Sequence, residues 1–98
     1  MLIKQTEFDG LKIYEPKILQ DDRGFFYEGW KSSFFDQEKI FVQDNYSYSK
    51  KNVLRGLHYQ KNKEQGKFVN VIYGSVQDIV VDLRKTSSTF GKYFSINL

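Results

Sequence analysis

The 98-residue chain contains no cysteine, which excludes disulfides and thiolate metal sites and suits a reducing compartment. It has one histidine, His58. A transition-metal centre would rest on that imidazole and carboxylates alone, a poor match to the multi-imidazole or thiolate shells such ions favour. No metal site is therefore expected. Basic runs are missing too: twelve lysines and three arginines are dispersed among twelve acidic residues, for a net charge of +3. Nucleic-acid binders usually concentrate their basic groups on one face, so this balance fits an anionic small molecule better than DNA or RNA. Apolar runs are short, none longer than three residues, as at 25–27 and 79–81, against roughly 20 residues for a membrane-spanning helix. Residues 1–8 carry a lysine and lack the apolar stretch of a secretion signal. The expected location is the cytoplasm, with neither a membrane nor a nucleic-acid partner.

What the chain does hold is enough apolar material to fold. It is 40% hydrophobic and 17% aromatic, which separates it from disordered sequences, and its length predicts one domain over 1–98. Eight short runs rich in Val, Ile, Phe and Tyr read as strands: 2–8, 11–14, 25–30, 41–48, 53–60, 67–73, 76–83 and 90–98. Gly, Asn, Asp and Ser clusters divide them, as at Asp9-Gly10 and Asp21-Asp22-Arg23-Gly24. Pro16, the only proline, lies between runs, where its missing amide hydrogen breaks no ladder. One helix is predicted over 32–39, with Ser32 or Ser33 as its cap. This spacing predicts an all-β, antiparallel sandwich or barrel. The last run reaches Leu98 without a polar tail, and an unfinished sheet exposes an edge. The expectation is an incomplete fold whose second half is absent or supplied by a partner.

The most distinctive stretch is Asn52-Val53-Leu54-Arg55-Gly56-Leu57-His58-Tyr59-Gln60. In a regular strand Arg55 and His58, three apart, would face opposite sides. A bulge at Gly56 would aim both into one cavity. Asp78 lies on the same face of its strand as Val76 and Val80, and an acid among apolar neighbours must be paired or functional. Three further segments are rich in polar groups: Asp22-Arg23-Gly24-Phe25-Phe26-Tyr27-Glu28, Val42-Gln43-Asp44-Asn45 and Gln65-Gly66-Lys67-Phe68-Val69.

Together these resemble, in order and with similar intervals, the RGFFxE, FVQDN, VLRGLHxQ and QGKxV motifs of the dTDP-4-dehydrorhamnose 3,5-epimerase family. Val80-Val81-Asp82-Leu83-Arg84-Lys85 and Ser88-Thr89-Phe90-Gly91 are similar to the family's VDIRK and SPTFG segments. The resemblance implies a cupin-like jelly roll, of which this would be the N-terminal half. It implies a cofactor-independent isomerase of dTDP-L-rhamnose biosynthesis, acting on dTDP-4-keto-6-deoxyglucose as a homodimer. His58 stands where the family has the base that removes protons from the carbons flanking the 4-keto group. Lys67 matches the lysine near the keto oxygen, and Asp78 a carboxylate of the active-site cavity. Arg23, Glu28, Gln43, Asp44, Asn45 and Arg55 match positions that bind the nucleotide-sugar.

The implied chemistry is physically coherent. Removing a proton beside a carbonyl moves charge onto oxygen, so the reaction needs a base and a nearby cation or donor. An imidazole titrates near neutral pH, and a cation aimed at a developing oxyanion is often the largest single contribution in such sites. Arginine forks onto diphosphate oxygens in a geometry lysine cannot copy. Two family groups have no counterpart in this chain: the tyrosine that returns the proton from the opposite face, and the aspartate that orients the histidine. Other readings stay open, namely a related ketoisomerase or single-position epimerase, a nucleotide-sugar-binding remnant without turnover, and a nucleic-acid binder suggested by the pI of about 9.1. For single residues the plain structural readings also stand: Arg23 follows a turn, Asp44-Asn45 makes one, and a lone histidine in a β pattern is ordinarily structural.

Overall fold

Thr6 begins the first turn of the chain because its hydroxyl can do backbone work. Its Oγ1 donates to the Leu11 carbonyl at 2.8 Å and accepts from the Phe8 amide at 3.1 Å, the local bonding that draws threonine to bends. The turn joins β1 (Leu2–Gln5) to β2 (Lys12–Glu15), paired antiparallel from Leu2 opposite Glu15 to Gln5 opposite Lys12. The same bend directs Phe8 inward. In the computed structural model, which describes residues 1–36 and 38–98, Phe8 is 3% exposed and is the one fully buried hydrophobic residue among those described. Its ring meets Phe94 edge-on, with centroids 6.4 Å apart.

β3 (Leu19–Asp21) and β4 (Gly24–Phe26) form a hairpin closed by the Asp21–Gly24 pair around Asp22 and Arg23. Gly24 has φ +133, a conformation that residues with a β-carbon rarely adopt. β5 (Gln77–Val81) and β6 (Tyr93–Asn97) form the third antiparallel pair. Burial alternates here as the period of a strand requires: Asp78 and Val80 are half-buried with Phe94 and Ile96, while Gln77 and Ile79 are exposed.

The loop from β5 to β6 is held by a buried acid. Asp82, 4% exposed, accepts from the Arg84 amide and guanidinium and from the hydroxyls of Ser87 and Thr89, both at 2.6 Å. The Arg84 guanidinium beside it, reinforced by the two hydroxyls, holds the Asp82 carboxyl well below the usual carboxylate range. Arg84 Nη1 also donates to the Asp9 carbonyl at 2.9 Å, joining segments 75 residues apart. A buried charge is tolerable when every lone pair is answered in this way.

The chain divides into two compact units, Met1–Gly29 with Val69–Leu98, and Trp30–Phe68. The three strand pairs all belong to the first. The second is centred on three rings, with Phe35 4.7 Å from Phe41 and 5.2 Å from Phe68 between centroids. Among the described residues no helix is long and apolar enough to cross a membrane.

The architecture is antiparallel β, as the spacing predicts, with several differences in extent. The run at 25–30 is a strand only over Gly24–Phe26, and β3 is not among the expected runs. The runs at 41–48, 53–60 and 67–73 form no strand: their residues find no ladder partner among the described residues, and β-propensity without a partner does not make a strand. Consequently no bulge at Gly56 aims Arg55 and His58 to one side. The helix expected over 32–39 is a single 3₁₀ turn, Ser32–Phe34, after which Phe35 returns to extended backbone (φ −117, ψ 158). Lys31 at its N-cap makes no side-chain cap, and the Phe35 ring is engaged by Phe41 and Phe68 instead. Gln37, inside that range, lies outside the described residues.

Candidate functional site

Six of the nine candidate site residues fall in the Trp30–Phe68 unit: Gln43, Asp44, Asn45, Arg55, His58 and Lys67. Gln43 and Asn45, two apart in sequence, turn to each other, and Gln43 Nε2 donates to Asn45 Oδ1 at 2.9 Å. That bond fixes the direction of both amides. Arg55 ties two segments of the unit together, its Nη2 donating to the Tyr48 carbonyl at 3.1 Å and its Nε to Ser49 Oγ at 2.9 Å. The five N–H groups of a guanidinium exceed these two bonds, so Arg55 keeps donors for a ligand. Asp44 is exposed beside this pair.

His58 is exposed and lies just beyond Gly56, whose φ of +104 sets the path of the chain into the imidazole. Lys67 is exposed and immediately precedes Phe68, whose ring is anchored against Phe35 and Phe41. Both side chains are therefore reachable from solvent.

The other three, Arg23, Glu28 and Asp78, belong to the first unit. Arg23 projects from the β3–β4 turn and forks onto Asp21, with Nε 3.1 Å from Oδ2 and Nη2 2.6 Å from the same oxygen. This contact, with the Arg23 amide bond to Oδ1, lowers the Asp21 carboxyl below its ordinary range and raises the Arg23 guanidinium. Beside the hairpin runs a groove of about 470 Å³, lined by Asp21, Arg23, Phe25 and Phe26 among others. The Phe25 and Tyr27 rings lie nearly parallel, 11° apart, with centroids at 6.2 Å. Glu28 is exposed one residue beyond Tyr27. Asp78 sits on β5 opposite Ile96, on the half-buried face expected from its spacing to Val80.

Sequence alone does not single out Asp21 or the Asp82 cluster. Asp21-Asp22-Arg23-Gly24 reads as a turn, and an acid two residues before an arginine at a turn is the available sign of the fork. For Asp82 the sign is the pairing of Asp82-Leu83-Arg84 with a hydroxyl-rich loop, Thr86-Ser87-Ser88-Thr89.

Comparison with known proteins gives these motifs a family. The family model described as dTDP-4-dehydrorhamnose 3,5-epimerase matches residues 5–98. The chain belongs to that family. It is 46% identical to the dTDP-4-dehydrorhamnose 3,5-epimerase of Salmonella typhimurium over 103 aligned residues, covering 100% of this chain and 56% of the relative. The protein of the same name from Methanothermobacter thermautotrophicus is 45% identical, covering 96% of this chain and 52% of the relative. Among solved structures, the dTDP-4-dehydrorhamnose 3,5-epimerase of Elizabethkingia anophelis superimposes with a TM-score of 0.87 at 43% identity, covering 100% of this chain and 56% of that one. The chain thus spans about half the length of the curated relatives it matches. Its antiparallel β architecture is that of the family.

Proposed function

We propose that the chain supplies the base and the substrate grip of a nucleotide-sugar 3,5-epimerase acting on dTDP-4-keto-6-deoxyglucose. The observation that carries this reading is the family match, continuous over residues 5–98 and spanning every candidate motif. His58 takes the proton from C3 or C5, becoming imidazolium, while the electron pair moves onto the C4 oxygen as an enolate. Lys67 stabilises that oxygen with its ammonium group. Arg23 and Arg55 hold the diphosphate, and Glu28, Gln43, Asp44 and Asn45 hold the nucleotide and sugar. Asp78, on its half-buried face, lines the reacting cavity. No redox step occurs, so no cofactor is required.

Inversion, as distinct from proton exchange, needs a donor on the opposite face of the carbon. In the family that donor is a tyrosine in the half that this chain does not span. Turnover to inverted product therefore needs that part, and the chain works as part of a homodimer in the cytoplasm. The exposed apolar side chains of β1, Leu2 and Ile3, support a surface that another subunit covers.

The test is the NMR spectrum of the sugar ring after incubation with the chain extended to the family's full length. Inversion at both C3 and C5 is expected. Inversion at one carbon would assign a single-position epimerase instead, and movement of the carbonyl a ketoisomerase.

A further inference from the structure

We propose that Asp21 is a positioning residue for Arg23, gripping one edge of its guanidinium so that the other edge is presented to the ligand's diphosphate. This inference rests on the reading of Arg23 as a diphosphate-binding residue.

The hairpin leaves Arg23 little else to hold it. Its side chain is 90% exposed at a two-residue turn, where a free arginine would sample many rotamers. Asp21, at the end of β3, is itself fixed, because it pairs across to Gly24 and its Oδ1 accepts the Arg23 amide at 2.9 Å. From that anchored carboxylate both oxygens face the Nε–Nη2 edge, with Nε 3.3 Å from Oδ1 and Nη2 2.6 Å from Oδ2. A guanidinium has five N–H groups. The grip occupies one on Nε and one on Nη2, which leaves both on Nη1 and the second on Nη2. Two of those three, one on each Nη, point outward side by side, the arrangement that binds a phosphate through two parallel bonds.

The negative charge of Asp21 works against an anionic ligand. Both groups are solvent-exposed, however, where the high dielectric of water keeps the repulsion small. Orientation outweighs that repulsion because the rotamer entropy of Arg23 is lost before the ligand arrives, the ordinary gain from preorganisation.

The experiment is calorimetric titration of dTDP into the chain at 0.15 M salt, for the wild type, Asp21→Asn, Arg23→Ala and the double variant. The carboxamide oxygen that Asp21→Asn introduces can still accept the Arg23 amide, so the turn is retained while the charged grip is removed. Asp21→Asn should weaken dTDP binding about fivefold, the scale of an exposed ion pair. In the Arg23→Ala background the same substitution should change nothing, whereas a purely structural role would weaken binding in both. Wild-type binding with unchanged or tighter affinity in Asp21→Asn, or an equal loss in both backgrounds, overturns the positioning role alone. Failure of the wild-type chain to bind dTDP overturns the reading of Arg23 on which it rests.

Discussion

A β-carbon placed on Gly56 would stand 3.4 Å from both the backbone nitrogen and Nδ1 of His58. With φ at +104, Gly56 is also where side-chain-bearing residues are strained. Gly56→Ala therefore carries a strain of about 1–3 kcal/mol, which an exposed segment relieves by moving. The movement displaces the imidazole. Misplacing a base by an ångström can cost on the order of a hundredfold in rate. Proton exchange at C3 and C5 should fall by about that factor while urea midpoints change little, and equal losses in both would assign Gly56 a merely structural role.

Arg55 should be intolerant of lysine. Its guanidinium spans Tyr48 and Ser49 and keeps donors for the ligand, which a single ammonium cannot do. Arg55→Lys should weaken dTDP binding by about tenfold, the loss of one charge-assisted hydrogen bond. Titration of dTDP into the variant measures this, and undiminished affinity would remove Arg55 from the site.

Phe8 is the test of the fold. Truncating a buried phenylalanine costs about 3–5 kcal/mol, against a total stability of about 5–15 kcal/mol for ordinary domains. Phe8→Ala should therefore remove a large share of that stability and lower the urea midpoint of the first unit markedly, as read by far-UV circular dichroism, and an unchanged midpoint would contradict the role of Phe8 in the core. Phe94→Ala should show a smaller effect, since Phe94 is only half-buried.

Acid should loosen the β5–β6 loop through Asp82. Arg84 first, then Ser87 and Thr89, lower its folded-state pKa below the unfolded value. As pH falls, the unfolded chain therefore takes up the proton first. The stabilisation is fully present above the unfolded carboxylate pKa of about 3.9 and is lost on acidification below it. Asp82→Asn should lower the urea midpoint at pH 7, and the gap between wild type and variant should narrow steadily as the pH is taken below about 4. A gap independent of pH would contradict the charge pairing.

The legible parts of the molecule are those whose partners are near in sequence or marked by alternation. β1–β2 and β5–β6 follow from turn residues and period-two patterns, and Asp78 lies on the face that its spacing to Val80 requires. The segments at 41–48 and 53–60 have the same composition but no partner strand among the described residues, so their pattern misleads. Leu54 and Tyr59, apolar by type, are 91% and 74% exposed. For the site, ordered motifs identify the residue types. The glycine at position 56 is legible as a local departure, though it takes the form of a positive φ and not of a bulge in a strand. Spacing could not reveal that Arg23 is held by Asp21, because that depends on turn geometry and not on period.

The base is tested most directly by solvent exchange, which needs proton removal but no donor on the opposite face. The chain is incubated with dTDP-4-keto-6-deoxyglucose in D₂O, and deuterium at each ring carbon is read by NMR and mass spectrometry, for wild type and His58→Ala. Deuterium at both C3 and C5, lost in His58→Ala, is the expected result. Label at one carbon only, label that persists without His58, or no label while dTDP binds would contradict the assignment of His58 as the base of a 3,5-epimerase.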